Sequence, residues 1–271
     1  MNIDPVIEQI NSQDSAPEDY TGPDGLLYCG KCHTPKQTRG TGLFEGRLLS
    51  VMCSCKEREA NEDAEKAKRN RIEELREYCL PTETMRQHTF QNATGEKHIL
   101  TARRYVEKWD KIRAENIGLL LWGNTGTGKS FAAQCIANAL IDQEVPVFYI
   151  SAVDLVSSLM AKEPGRDRII KRVRDVPLFV LDDIGAERDT AFSREQLCSI
   201  IDTRSEAGKP LIVTTNYTLS EMKDSRNDQA MQRLFNRITA CCVPVAVTGT
   251  SKRDSIGADK LRKARELLEL S

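Results

Sequence analysis

From residue 86 onward, short continuous apolar runs alternate with stretches whose apolar residues recur at helical spacing. Ile99, Ala102, Val106, Trp109 and Ile112 predict a helix. The run Gly118–Trp122 predicts a strand that leads straight into a Gly-rich turn, and a helix follows from Ser130 to about Asp142. Val145–Ile150 reads as a second strand, and Asp154–Lys162 and Arg168–Arg174 as helices. Leu178–Leu181 is uninterrupted and apolar, as expected of a strand buried on both faces. Ser193–Glu206 reads as a helix with Ser193 as its N-cap and Leu197, Ile200 and Ile201 facing inward. Leu211–Thr215 and Val243–Thr248 read as strands, Asp228–Ile238 as a helix, and Asp259–Leu270 as a short amphipathic tail helix. Strands alternating with helices in this way predict an α/β fold, a parallel sheet with helices on both faces.

The first third of the chain follows another pattern. Residues 1–25 are polar and without period, with Pro5, Pro17, Gly22 and Pro23, and read as a mobile arm. Residues 26–60 contain a cysteine cluster, many glycines and too few large apolar groups for an unaided core. Lys56–Tyr78 is charge-dense and free of proline, and its alternating signs predict a solvated helix rather than a basic stripe for nucleic acid. Pro81 stops it. The organisation is therefore an arm (1–25), a metal-binding domain (26–60), a helical linker (61–85), the α/β domain (86–255) and a C-terminal helix (256–271).

Composition adds mainly exclusions. The 271 residues are 39% hydrophobic and 29% charged, enough apolar mass for one real core. No stretch reaches the roughly 18 apolar residues of a membrane span, and the N-terminus lacks the layout of a signal peptide, so no membrane partner is expected and the expected compartment is the cytoplasm. The net charge of −1 demands no polyanion. Residues 1–85 hold 11 Lys/Arg against 16 Asp/Glu and the remainder 28 against 24, a tilt that permits nucleic-acid contact by the C-terminal part.

The sharpest chemical signal is Gly123-Asn124-Thr125-Gly126-Thr127-Gly128-Lys129-Ser130, a full match to the P-loop pattern between a strand and a helix. Glycines let backbone N–H groups curl around phosphates, and the helix N-terminus adds its positive end. Lys129 would reach the β- and γ-phosphates of ATP and the Ser130 hydroxyl would ligate Mg2+. Asp182 and Asp183 end the apolar strand at the edge where ligands of parallel sheets bind. Asp182 would hold magnesium, and Asp183 would orient or deprotonate the attacking water. Asn216 closes the strand Leu211–Thr215 and would bond the γ-phosphate or the water, although an Asn opening a turn reads the same. Arg233 and Arg237 share a helix face, either as solvated surface or as charges for a neighbouring subunit's phosphates.

Four of the nine cysteines lie close together: Cys29 and Cys32 in a CxxC knuckle, Cys53 and Cys55 in a CxC pair. Four thiolates make a closed tetrahedral Zn2+ site, structural rather than catalytic. His33 is a weaker candidate ligand, and a redox CxxC would need a βαβ context that is absent. Cys79, Cys135, Cys198, Cys241 and Cys242 read as small buried hydrophobes. The run from Arg166 to Arg174 carries five cations and serves equally as a phosphate-contacting stripe or a solvated face.

With these residues in place, the chain resembles the DnaC/DnaI-type replicative helicase loaders among the AAA+ ATPases, over most of residues 26–255. Ala102–Val106 and Gly118–Gly123 are similar to that family's approach to its P-loop. The resemblance implies an AAA+ P-loop fold with a small zinc-binding domain ahead of it. It makes Lys129 and Ser130 the Walker A pair, Asp182 and Asp183 the Walker B pair, Asn216 the first sensor, Arg237 the arginine finger and Arg253 a candidate second sensor. It implies a DNA-contacting insertion near Asp154–Arg174. It also implies a DnaB-type helicase and single-stranded DNA as partners, and a head-to-tail homo-oligomer of which a hexameric spiral is one form. Asp183 stands where many AAA+ ATPases have Glu, one methylene longer, which predicts slow hydrolysis. Transposase helper ATPases share nearly the same core; the zinc element favours a loader. A degenerate DNA-binding regulator is disfavoured by intact Lys129, Ser130 and Asp182, and a small-molecule kinase by the Asn216–Arg237 arrangement.

Overall fold

The computed structural model describes residues 18–160, 164–187, 190–224, 229–249 and 251–268, the side chains of 224 and 252–259 excepted. The chain divides into two compact units, residues 1–70 and 71–271.

The first unit holds two small antiparallel hairpins. Tyr20–Thr21 (β1) pairs with Leu27–Tyr28 (β2), and Gln37–Arg39 (β3) with Leu48–Ser50 (β4). Part of the stretch read as an arm is structured, because Tyr20 pairs with Tyr28 and the two rings stack at 5.8 Å. Residues 1–17 of that arm lie outside the described residues. The charge-dense stretch forms one helix, Ser54–Cys79 (α1), as its composition predicts. Its first turns belong to the first unit and its last to the second.

The second unit begins with Glu83–Gln87 (α2), Lys97–Glu107 (α3) and Trp109–Ala114 (α4). The periodic stretch read as one helix is therefore two, broken at Lys108. Then follow Gly118–Trp122 (β5), Lys129–Ile141 (α5), Val147–Ser151 (β6), Ala152–Leu159 (α6), Gly165–Asp175 (α7) and Leu178–Ile184 (β7). The chain continues through Ala191–Glu206 (α8), Leu211–Thr215 (β8), Leu219–Asp224 (α9), Gln229–Cys241 (α10), Cys242–Ala246 (β9) and Lys252–Leu267 (α11). The tail helix starts well before Asp259. No described helix is long and apolar enough to cross a membrane.

All pairings in the five-stranded sheet are parallel, in the order β6-β7-β8-β5-β9. The strand before the P-loop therefore lies beside β8, and β8 beside β7, which brings the carboxyl ends of all three together. Alternate strand residues feed two cores. Leu119, Leu121, Val147, Tyr149, Val180 and Ile212 face α3, α4 and α5. Leu120, Phe148, Phe179, Leu181 and Val213 face α6, α8 and α10. Each such side chain, fully buried, contributes about 1.5–3 kcal/mol.

One buried charge organises the opposite end of the sheet. Arg204, 1% exposed in the last turn of α8, donates to the carbonyls of Val173, Val176, Pro177 and Pro210 at 2.6–3.1 Å. These carbonyls lie in and after α7, and immediately before β7 and β8. The guanidinium thus ties together the entrances of the two strands whose exits carry the site. Burial lowers its pKa to about 10, well above neutrality, so the charge is retained.

Candidate functional site

The turn between β5 and α5 depends on glycine where a side chain has no room. Gly123 has φ +143°, and a Cβ there would lie 2.4 Å from the Val247 carbonyl oxygen. Gly128 caps α5 at φ +101° and offers no side chain to the helix N-terminus, so its N–H groups stay available to an anion.

Lys129 is buried, 6% exposed, and its Nζ donates to the carbonyls of Gly123 and Asn124 at 2.8 Å and to Asn216 Oδ1 at 2.7 Å. Asn216 Nδ2 in turn donates to Asp183 Oδ1 at 3.0 Å. The Thr214 hydroxyl donates to Asp182 Oδ1 at 2.5 Å and accepts from the Asp183 amide at 2.8 Å. The three strand ends are thereby joined in one polar row, with Asp182 buried and Asp183 half-buried. The structure brings together Lys129, Asp182, Asp183 and Asn216 as their spacing predicts; Thr214, two positions before Asn216, is the member that sequence reasoning missed. Ser130 follows Lys129 in the first turn of α5 and is half-exposed.

Asp183 reaches its position through an unusual backbone. Its φ is +59°, in the left-handed region, and the register of β7 against β8 shifts between Leu181 and Ile184. Asp tolerates this conformation better than most residues, and such strain concentrates at functional sites. The oxygen and hydroxyl groups of this row are hard donors, the set that suits Mg2+, and Ser130 and Asp182 are the residues that would hold it.

Arg237 and Arg233 lie apart from this row. They line a cleft of 560 Å³ between α8 and α10, together with Glu195, Asp202 and Glu206. The Arg237 guanidinium is paired with the Asp202 carboxylate, both partly exposed. The side chain of Arg253 lies outside the described residues.

In the first unit, the Sγ atoms of Cys29, Cys32, Cys53 and Cys55 lie within 4.8 Å of one another. Tetrahedral zinc with Zn–S of about 2.3 Å sets sulfurs about 3.8 Å apart, so the four fit one ion. The knuckle is closed by Cys29 N to Thr34 O at 2.9 Å and His33 N to Cys29 O at 2.8 Å. A hydrogen bond from Thr34 draws the Cys32 thiol down to about 5, whereas its sulfur neighbours, Cys53 first, push Cys55 up to about 12. His33 turns instead to the Tyr20 hydroxyl at 3.2 Å.

The basic run is only partly available. Arg172 is sandwiched 4.1 Å from the Tyr78 ring and 4.2 Å from the Phe148 ring, a cation–π arrangement that removes it from any phosphate stripe. Arg166, Arg168, Lys171 and Arg174 are exposed. Of the singly placed cysteines, Cys79, Cys135 and Cys242 are buried, and Cys198 and Cys241 partly so.

Residues 49–258 match the family of IstB-like ATP binding proteins. The chain is 28% identical over 138 residues to the replicative helicase loader DnaC of Escherichia coli (strain K12), which covers 49% of this chain and 55% of that protein. It is 26% identical over 147 residues to the replicative helicase loader DnaI of Bacillus subtilis (strain 168), covering 50% of this chain and 47% of the relative. The chain thus spans about half the length of the curated relatives it matches. Among solved structures, it resembles a crystal structure of DnaI with a TM-score of 0.54 at 20% identity, over 63% of this chain and 93% of the other. It resembles a crystal structure of the DnaC helicase loader with a TM-score of 0.51 at 23% identity, over 62% of this chain and all of the other (100%). A P-loop on a parallel sheet, with lysine, paired aspartates and asparagine converging at its carboxyl edge, accords with that match, and the chain belongs to the IstB-like ATP-binding protein family.

Proposed function

We propose that this chain is an ATP-dependent loader that binds a ring-shaped replicative helicase and delivers it to single-stranded DNA, switched by ATP binding and hydrolysis in a head-to-tail oligomer. The observation that carries this reading is the hydrogen-bonded row from Lys129 through Asn216 to Asp183 at the sheet edge. Its similarity to DnaC and DnaI directs the reading toward loading.

In this reading the P-loop amides and Lys129 bind the phosphates of ATP, and Ser130 and Asp182 hold Mg2+. The cation, when bound, offsets negative charge on the phosphate oxygens. Asp183 accepts a proton from the attacking water or orients it, and Asn216 keeps that carboxylate aligned. Hydrolysis is slow because Asp183 is short. Arg237 enters a neighbouring subunit's site, which makes the interface heterologous and the assembly a ring or spiral. The Cys29, Cys32, Cys53 and Cys55 cluster binds zinc and holds together an N-terminal unit that grips the helicase. Exposed Arg168 and Lys171 meet the DNA backbone.

The family match to IstB-like proteins favours a second reading, a transposase helper ATPase that assembles on DNA. A pull-down with the replicative helicase of the same host separates the two. Retention of the helicase, with ATP-stimulated and salt-sensitive binding of single-stranded DNA, supports the loader. ATP-dependent assembly on duplex DNA without helicase capture supports the helper. Charge reversal at Arg168 and Lys171 weakens DNA binding in the first case; normal binding would leave the basic run a solvated face.

A further inference from the structure

One threonine stands between the two cysteine pairs of the first unit. Thr34, half-buried, follows the CxxC knuckle by two residues and serves a different partner with each of its polar groups. Its carbonyl accepts from Cys29 N at 2.9 Å. Its hydroxyl oxygen accepts at 2.9 Å from the amide of Ser54, the residue between Cys53 and Cys55. The same hydroxyl lies 3.1 Å from Cys32 Sγ. Ser54 also opens α1, and the first N–H groups of a helix have no partner within it. Thr34 supplies one to this helix from 20 positions away. The direction of the sulfur contact follows from the donors. A threonine hydroxyl has one hydrogen to give and two lone pairs, and the Ser54 amide takes one lone pair. A sulfur that ligates zinc is a thiolate, with no hydrogen to offer. The hydrogen between the two atoms is therefore given by Thr34 to Cys32.

We propose that Thr34 is a positioning residue for the zinc site: it joins the knuckle to the Cys53–Cys55 pair and donates to the Cys32 thiolate. The β3–β4 hairpin separates the two pairs in sequence, and its strands meet at the base through Val51 N to Lys36 O at 2.9 Å. The Thr34 hydroxyl makes the next link, from the end of the knuckle to the start of α1. Outer partners of metal ligands typically govern metal affinity by about 10–100-fold. A hydrogen bond to a thiolate also draws charge from the sulfur and makes it a weaker nucleophile. Cys55 is half-buried like Cys32, but its sulfur faces those of Cys29 and Cys53 at 3.5 and 3.3 Å where Cys32 faces a hydroxyl. Two ligands of similar exposure therefore differ in protection.

The proposal rests on the reading of the cysteine cluster as a zinc site. The test compares the parent chain with Thr34→Val and Thr34→Ala, which remove the hydroxyl, and with Thr34→Ser, which keeps it. Zinc affinity is measured by competition with a chromophoric chelator. Alkylation of the zinc-loaded proteins by N-ethylmaleimide is followed at each cysteine by mass spectrometry after digestion. The expected result is zinc affinity lowered about tenfold in the valine and alanine variants and retained in the serine variant. In the two hydroxyl-free variants Cys32 should be alkylated severalfold faster than in the parent, with the Cys55 rate unchanged. A helix cap alone predicts instead that all four cysteines react together as the first unit opens. That outcome in both hydroxyl-free variants overturns the donation to Cys32, and so does an unchanged Cys32 rate with unchanged zinc affinity. A parent that binds no zinc overturns the zinc reading and this inference with it.

Discussion

The ammonium of Lys129 donates to the side-chain oxygen of Asn216, 87 positions away, at 2.7 Å. Asn216 also donates to Asp183, so one amide couples the cation proposed to bind phosphate to the carboxylate proposed to handle water. Asn216→Ala should leave ATP binding within a few-fold of the parent and reduce phosphate release about 100-fold, the loss typical of a polar group acting mainly on the transition state. Lys129→Ala should abolish binding itself, since it removes the cation from the phosphate cradle. Titration of a fluorescent ATP analogue beside a phosphate-release assay separates the two. Equal loss of binding in both variants would refute the division of roles.

Arg237 is paired with Asp202 across a cleft, yet both side chains keep 41% and 38% of their exposure. A pair this open contributes at most about 1 kcal/mol, so the arginine can leave its partner at small cost. Arg237→Ala should therefore fold and bind ATP normally, but lose ATP-dependent assembly and about a thousandfold in hydrolysis. Mixing it with Lys129→Ala should restore turnover, because the second protein supplies intact arginines to intact P-loops of the first. Failure of every mixture, with both variants folded, would place Arg237 outside a shared site.

Zinc should be present at one ion per chain, measured by elemental analysis of protein purified without chelators. Cys29→Ser or Cys55→Ser should release it and unfold the first unit while the second keeps its cooperative melting transition. Acidification should release zinc as well, since protons compete for the thiolates as pH falls. Zinc-free protein that retains a folded first unit would exclude the site.

Arg204→Leu should lower stability by about 3–5 kcal/mol, seen as a fall in the urea midpoint, because four carbonyls, those of Val173 and Pro210 buried, lose their donor together. Arg204→Lys should recover only part, since a lysine has three donors on one atom in place of a planar fork. A change below about 1 kcal/mol for the leucine variant would mean that water replaces the guanidinium without cost.

The sheet and the P-loop were legible because strands buried on both faces appear as uninterrupted apolar runs, and β5, β7 and β8 are of that kind. Caps were harder. Thr190, not Ser193, caps α8: its hydroxyl accepts from the Ser193 amide, and Ser193 lies buried inside the first turn. Two hydroxyl residues three apart look alike in sequence, and only the path of the preceding chain decides between them. Arg204 was invisible for another reason. Its sequence neighbourhood reads as the polar end of a helix, and the carbonyls it satisfies come together only when α7, β7 and β8 are in place. Arg172 read as either a phosphate contact or part of a solvated face for the same cause, since nothing local announces that Tyr78 and Phe148 close around it.

The left-handed backbone at Asp183 changes what its short side chain means. Substitution by Glu would lengthen the reach toward water by one methylene, but would also put a residue less suited to φ +59° at the turn of the strand. Reach and backbone shape are thus coupled at a single position, so in the proposed reading faster hydrolysis is not one point mutation away. Higher turnover would require the bulge between Leu181 and Ile184 to be rebuilt along with the side chain. In the proposed reading, the tempo of hydrolysis is written into the contour of β7 as much as into the chemistry of a carboxylate.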